Sequence, residues 1–434
     1  MSHDTNARPV GGRILTVPMA CLLAMFALAC AVIGYRFVAG IGAVSNMNDG
    51  YTWGIWEPVN VVVFTGLGAG AFSVGALCYL LNRGSYHPMI RPAVLLGAIA
   101  YTLGAASIGV AVGRPWNIYW LALPSMWNLS SVLLEVAVCV ITYVCVLWIE
   151  MLPAVLEAAA ASGNLKRAER AKRWGGRLSK AMPYIIALAL LLPTMHQSSL
   201  GGLMVIAGPK LHALWHTPLL PLLGLISCLS MGLGAAVLLG AALRRGWNAR
   251  QDEQILTEMS KVNAILLLAY GIVRFADLAA AGKLHLLLVA DYHLAVFVVE
   301  MALFLVPAVL FLTPAVKKHR VRVAGAAMAA LAGALWRVDC FITCYSPGSN
   351  WHYFPSVGEL TVTIGMAAFG VAVFIAMSKR FPVVEVQEPT TAVPASVAAF
   401  VLTFPQGNGA QPSATGTAST SGTGSPSPTG TQGA

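Results

Sequence analysis

Charge is scarce in this chain: Lys, Arg, Asp and Glu make up 10% of its 434 residues, while hydrophobic residues reach 57%. Such a composition cannot clothe an ordinary water-soluble domain in polar surface. Cysteine spacings typical of redox centres are also missing. Eight cysteines are present, yet none forms C-x-x-C, C-x-x-C-H or cluster-type spacing, which excludes an iron–sulfur cluster or an attached haem on this chain. Cys21, Cys30, Cys78, Cys139, Cys145 and Cys228 fall inside apolar runs and read as small packing residues. No link is long enough for a separate soluble domain, and the short alternating segments of a membrane β-barrel are absent. The net charge of +10 comes without aromatic interleaving or a DNA-binding motif, so nucleic acid is not an expected partner.

What the chain does have is ten long apolar runs, at 14–38, 58–81, 93–112, 130–152, 181–206, 218–243, 257–281, 291–313, 322–341 and 357–378. A bilayer core about 30 Å thick needs about 20 such residues per helix. The sequence therefore predicts an all-α integral membrane protein of ten transmembrane helices. One polytopic domain over 14–378 lies between a short N-terminal segment, 1–13, and a tail, 379–434. That tail has no charge after Glu388 and turns Gly/Ser/Thr/Pro-rich near Gln406, which predicts disorder. The first run follows Arg8 and Arg13 but is too long for a signal h-region, and no clear small-residue cleavage site follows, so it reads as a retained helix.

The basic residues sort by side. Segments 1–13, 82–92, 153–180, 244–256, 314–321 and the pair Lys379 and Arg380 carry nineteen Lys and Arg, whereas 39–57, 113–129, 207–217, 282–290 and 342–356 carry three. The positive-inside rule then puts the first set, with both termini, in the cytoplasm of a bacterial inner membrane. The run from Lys166 to Lys180 reads as a topology anchor.

On the opposite face gather Trp53, Trp56 and Glu57, the segment GRPWNIYWLALPSMWNL after Val112, GPKLHALWHTP and CYSPGSNWHYFPSVGE. An interfacial belt accounts for the tryptophans and tyrosines. Histidine, arginine, asparagine and proline on the same side predict a functional outer face.

Few ionisable groups lie within the runs, where charge is costly. Glu135 sits roughly 8 Å from the outer end of the fourth at 1.5 Å per residue. Arg274 and Asp277, three apart on the seventh, predict a neutralising salt bridge. Glu300 falls near the middle of the eighth, either as a proton carrier or as a protonated acid bonded to a neighbouring helix. His196, Gln197, Ser198 and Ser199 follow Pro193; such a cluster can give a quinone carbonyl the donor and proton that its reduction requires. His212 and His216 are four apart but lack a third ligand nearby, so no metal is expected and they read as interface residues. Haem b needs paired histidines projecting inside the membrane, and nearly all nine histidines lie at ends or in loops, so no haem is expected. Gly66 and Gly70 form a small-x-x-x-small pair for close helix packing.

Gly113–Trp116, MWNLSSVLLE (126–135), PTMHQSSLGGLM (193–204), KLHALWHTPLLPLL (210–223), ALWRVD (334–339) and WHYFPSVGE (351–359) resemble a known family. They are similar to the HybB-type membrane subunit of respiratory nickel–iron (NiFe) hydrogenases, within the NrfD/polysulphide-reductase membrane family, in order over residues 50–378. The resemblance implies two four-helix bundles plus flanking helices in a haem-free subunit that reacts with menaquinone or ubiquinone. It further implies a periplasmic iron–sulfur (ferredoxin-like) partner subunit serving the hydrogenase large and small subunits. On that reading Glu135 and His196 exchange protons with quinone. Arg114, Trp116, Trp127, Asn128, Gln197 and Arg337 shape its pocket or hold the partner, and Glu300 and Asp277 carry protons from the cytoplasm. A molybdoenzyme or multihaem complex upstream would leave the same role. A secondary transporter is the rival, against which Pro193 and Pro307 lie near helix ends rather than at the midplane.

Overall fold

The computed structural model describes residues 7–80, 84–249 and 252–386, so the low-complexity tail expected after Glu388 lies outside the described residues. Ten helices among them are long and apolar enough to cross a membrane: α1 (Val17–Ala39), α2 (Trp56–Leu80), α3 (Gly84–Ala111), α4 (Val132–Ala160), α5 (Leu165–Ile206), α6 (Leu220–Trp247), α7 (Glu253–Ala280), α8 (Tyr292–Leu312), α9 (His319–Thr343) and α10 (Val357–Arg380). All ten expected spans are present.

Short polar side chains set where several of them begin. Asn164 Oδ1 accepts the Arg167 N–H at 3.2 Å, Asp252 Oδ1 that of Gln254 at 2.8 Å and Asp291 Oδ1 that of Leu294 at 2.8 Å, satisfying amides that the helix itself leaves free. Ser356 and Glu359 form a reciprocal capping box at the start of α10. α6 ends on Asn248 in the left-handed region, φ 48°. The main departure from expectation is α5, whose 42 residues start well before residue 181. Residues 165–173 of its basic stretch are Leu, Ala, Lys, Arg and Glu, all strong helix formers, so helical backbone begins well before the apolar run and continues through Gly175 and Gly176 into it.

α2, α3, α4 and α5 pack as one bundle and α6, α7, α8 and α9 as another. α1 pairs with α10, which leans on α3 and the start of α2. The bundles meet chiefly where α2 and α5 face α6. That seam is close because glycine backs onto glycine: a Cβ on Gly232 would lie 2.8 Å from Gly70 N, and one on Gly70 3.1 Å from Gly232 O. Without a hydrophobic drive in lipid, such backbone contact is a main source of helix association.

An even number of crossings puts both ends of the domain on one face. There Arg8 N donates to Val384 O at 3.1 Å and Val10 N to Ser378 O at 3.0 Å, with Ala249 of the α6–α7 link bridging Val386. The aromatic links 40–55, 112–131, 207–219, 281–291 and 344–356 fall on the opposite face. π-helical turns open and close α2 (Trp56–Val63 and Ala76–Leu80) and end α9 (Asp339–Thr343), a feature frequent at functional sites.

Candidate functional site

A buried polar cluster crosses the seam between the bundles. On α9, Arg337 is fully buried; its Nη2 donates to Gln197 Oε1 at 2.9 Å, and its Nη1 donates to Gly333 O at 2.7 Å and Ser227 Oγ at 3.3 Å. Gln197 Nε2 in turn donates to Thr65 Oγ1 at 3.3 Å, and His196 Nε2 lies 3.3 Å from the same oxygen. With the Thr65 hydroxyl donating to Val62 O at 3.2 Å, its oxygen accepts from His196, the arrangement in which the imidazole carries its proton on Nε2 and a lone pair on Nδ1. Nδ1 indeed has no hydrogen-bond partner, nor have the Tyr101 and Tyr143 hydroxyls. Tyr101 stands against both rings, 5.7 Å from His196 and 4.5 Å from Tyr143, centroid to centroid. Every hydrogen-bond acceptor of Arg337 among the described residues is neutral, which leaves a buried cation without a bonded counter-ion, a costly state for a protein to hold.

A second cluster lies among α7, α8 and α9 beneath the α5–α6 link. Glu300, wholly buried, accepts Trp215 Nε1–H at 2.7 Å and the Tyr270 hydroxyl at 2.8 Å. Asp339 is equally buried and neither carboxyl oxygen has a hydrogen-bond partner. Arg274 lies over the rings of Trp215 and Phe297, at 5.9 and 5.4 Å.

The expected Arg274–Asp277 salt bridge is not formed. Residues three apart on a helix are still turned some 60° from one another. Arg274 points into the bundle with no hydrogen-bond partner for any of its nitrogens, while Asp277 turns toward the α5–α6 link and accepts the Thr217 hydroxyl at 2.8 Å.

Glu135 is placed differently from His196. It is an exposed residue in the first turn of α4 that accepts the Ser199 hydroxyl at 2.6 Å, and Ser199 lies one turn beyond His196 on α5. The loop residues stand apart from the buried clusters. Trp127 Nε1 donates to Leu121 O at 3.2 Å, and Asn128 Oδ1 accepts the Ser130 N–H at 3.1 Å, so both organise their own loop. Arg114 is exposed, and Trp116 is 70% exposed.

On the same face Glu359 gathers several chain segments. Its carboxylate accepts from Asn46 N at 3.0 Å, Ser356 N at 2.9 Å and the Tyr353 hydroxyl at 2.6 Å, and that hydroxyl accepts the Ile55 N–H at 2.6 Å.

Sequence reasoning named His196, Gln197 and Arg337 but passed over Thr65, Tyr101, Tyr143, Trp215, Tyr270 and Asp339. Only Asp339 gave a signal of its own, as a second ionisable residue two positions from Arg337. The others are hydroxyl and aromatic side chains in apolar surroundings, ordinary until their partners are seen.

The Polysulphide reductase, NrfD family model matches residues 43–342. The chain is 34% identical over 387 residues to the Escherichia coli K12 "Probable Ni/Fe-hydrogenase 2 b-type cytochrome subunit", covering 88% of this chain and 96% of that one. It is 29% identical over 254 residues to the "Menaquinone reductase, integral membrane subunit" of Nitratidesulfovibrio vulgaris Hildenborough, covering 56% of this chain and 58% of that one. With ten crossings, two four-helix bundles and a family match over most of its length, this chain belongs to the NrfD/polysulphide-reductase family of membrane proteins.

Proposed function

We propose that this chain is the quinone-reactive subunit of a respiratory oxidoreductase, exchanging electrons between an iron–sulfur partner on its aromatic face and quinone within the membrane. One observation carries the reading: the buried Arg337 guanidinium has only neutral partners, and beside it stand a bare His196 Nδ1 and the unpartnered Tyr101 and Tyr143 hydroxyls. Quinone reduction takes up two electrons and two protons, so its carbonyl oxygens gain negative charge before they are neutralised. A fixed positive group with free donors nearby stabilises that charge, and an imidazole lone pair can hold or release the proton.

The donor set therefore fits a quinone. Arg337 supplies the field, Gln197 and Thr65 orient the guanidinium and the imidazole, and Tyr101 and Tyr143 offer hydroxyl protons. Glu135, at the exposed rim and joined to α5 through Ser199, exchanges protons with the surroundings. Arg114, Trp116, Trp127 and Asn128 belong to the loop that receives the partner. The names of the two relatives, one of a hydrogenase and one of a menaquinone reductase, support hydrogenase large and small subunits upstream and menaquinone as the pool. Haem stays outside this reading, since His196 is the one histidine buried among the described residues. The basic face lies in the cytoplasm.

The experiment is turnover of the intact complex in native membranes. His196→Gln and Glu135→Gln should each impair hydrogen-dependent quinone reduction, while dye reduction by the catalytic subunit stays intact. Undiminished quinone turnover in both would remove these residues from the site.

A further inference from the structure

His212 lies in the α5–α6 link, Asp291 caps α8 and His293 sits in its first turn. One nitrogen or oxygen from each of the three lies within 4.8 Å of the other two. The two imidazoles stack at 3.9 Å, tilted by only 3°. His293 Nδ1 is 3.2 Å from Asp291 Oδ2, leaving Asp291 Oδ1 to cap Leu294. Ligand atoms around a tetrahedral ion with bonds of about 2.0–2.2 Å stand roughly 3.3 Å apart. The Asp291–His293 pair already has that spacing; the two imidazoles, stacked parallel, would tilt toward each other so that one nitrogen of each faces the ion.

We propose that His212, Asp291 and His293 form a binding site for one divalent transition metal of the zinc class, with its remaining position open to water. Two imidazoles and one carboxylate favour zinc, copper or nickel over magnesium and calcium.

The pair suggested by spacing alone, His212 and His216, is not the site. His216 is absent from the group, and the other two ligands arrive from α8. An ion here would tie the α5–α6 link to α8. That link supplies Trp215 to Glu300 and Thr217 to Asp277, so the metal would fasten the roof of the acidic cluster.

The test uses the purified full chain in detergent, stripped with chelator and with its thiols blocked. Zn2+ is titrated against a chromogenic chelator, and Co2+ binding is followed by its visible spectrum. One ion per chain is expected, with the intense bands of a four-coordinate N/O site. Affinity should fall at least tenfold in His293→Gln and in Asp291→Asn and stay unchanged in His216→Gln, with helix circular dichroism checking each fold; either ligand variant suffices if the other misfolds. Wild-type affinity no higher than that of a folded ligand variant, or an equal loss in His216→Gln, overturns the site and leaves a hydrogen-bonded Asp–His–His stack.

Discussion

At the seam between the bundles one guanidinium, Arg337, is held by the neutral oxygens of Gln197, Ser227 and Gly333. Inside the second bundle two carboxyl groups, Glu300 and Asp339, are buried in the same bundle as a guanidinium, Arg274, that itself has no hydrogen-bond partner. The first region has positive charge and nothing negative to meet it. The second has acids and a base and can rearrange protons among its own members. Buried charge is costly in either place, and on the proposed function the difference separates two tasks: receiving a molecule that turns negative, and storing a proton. The two regions touch through α9, since Arg337 and Asp339 flank the point where its last turn becomes π-helical.

The comparison breaks most directly at the cation. Arg337→Gln keeps a polar side chain but removes the charge, and quinone reduction by the intact complex should fall about 100-fold, the usual cost of a lost preorganised donor. Dye reduction should stay at the wild-type level. Full quinone turnover would mean that the seam does not hold the reacting molecule. Glu300→Gln sharpens the contrast. The amide still accepts one of the two bonds from Trp215 and Tyr270, so turnover should drop only a few-fold, roughly the 1 kcal/mol of a typical buried hydrogen bond. Charge movement across proteoliposomes should disappear. Equal loss of both quantities would merge the two clusters into one functional unit.

How much of this could be read from the chain follows from where each signal resides. Ten spans were legible because bilayer thickness imposes a minimum apolar length, and two bundles with flanking helices followed from the family resemblance. The true start of α5 was not, because helix propensity continues past the lipid boundary and hydropathy does not. His196, Gln197 and Arg337 stood out as polar residues beside apolar stretches. Thr65 did not, since a Ser or Thr hydroxyl in a span commonly bonds its own helix, as Thr65 does to Val62, and Tyr101 and Tyr143 did not, since an aromatic ring in an apolar run reads as packing. Their second role depends on contact with another helix. The Arg274–Asp277 pairing failed for the same reason: local spacing allowed it, and aromatic rings from other elements decided it.

The seam itself can be loosened without touching its polar groups. Gly232→Ala places a methyl against the backbone at Gly70 and should destabilise the protein by about 1–3 kcal/mol, the usual cost of overpacking, read as a lower Tm. Turnover at low temperature should change little. If this variant lost quinone reduction as fully as Arg337→Gln while keeping its Tm, the seam would have to be treated as a moving part instead of a fixed scaffold.

The mildest change tests the finest claim, that Thr65 fixes the His196 tautomer. Thr65→Val keeps the shape but removes the oxygen shared by His196 Nε2 and Gln197 Nε2. Turnover should fall about tenfold, equivalent to roughly 1.4 kcal/mol, with the pH profile displaced because the imidazole is free to carry its proton on either nitrogen. Thr65→Ser restores the oxygen and should restore both the rate and the profile. A valine variant with reduced rate but an unshifted profile would give Thr65 a packing role and leave the tautomer of His196 to be set by something else.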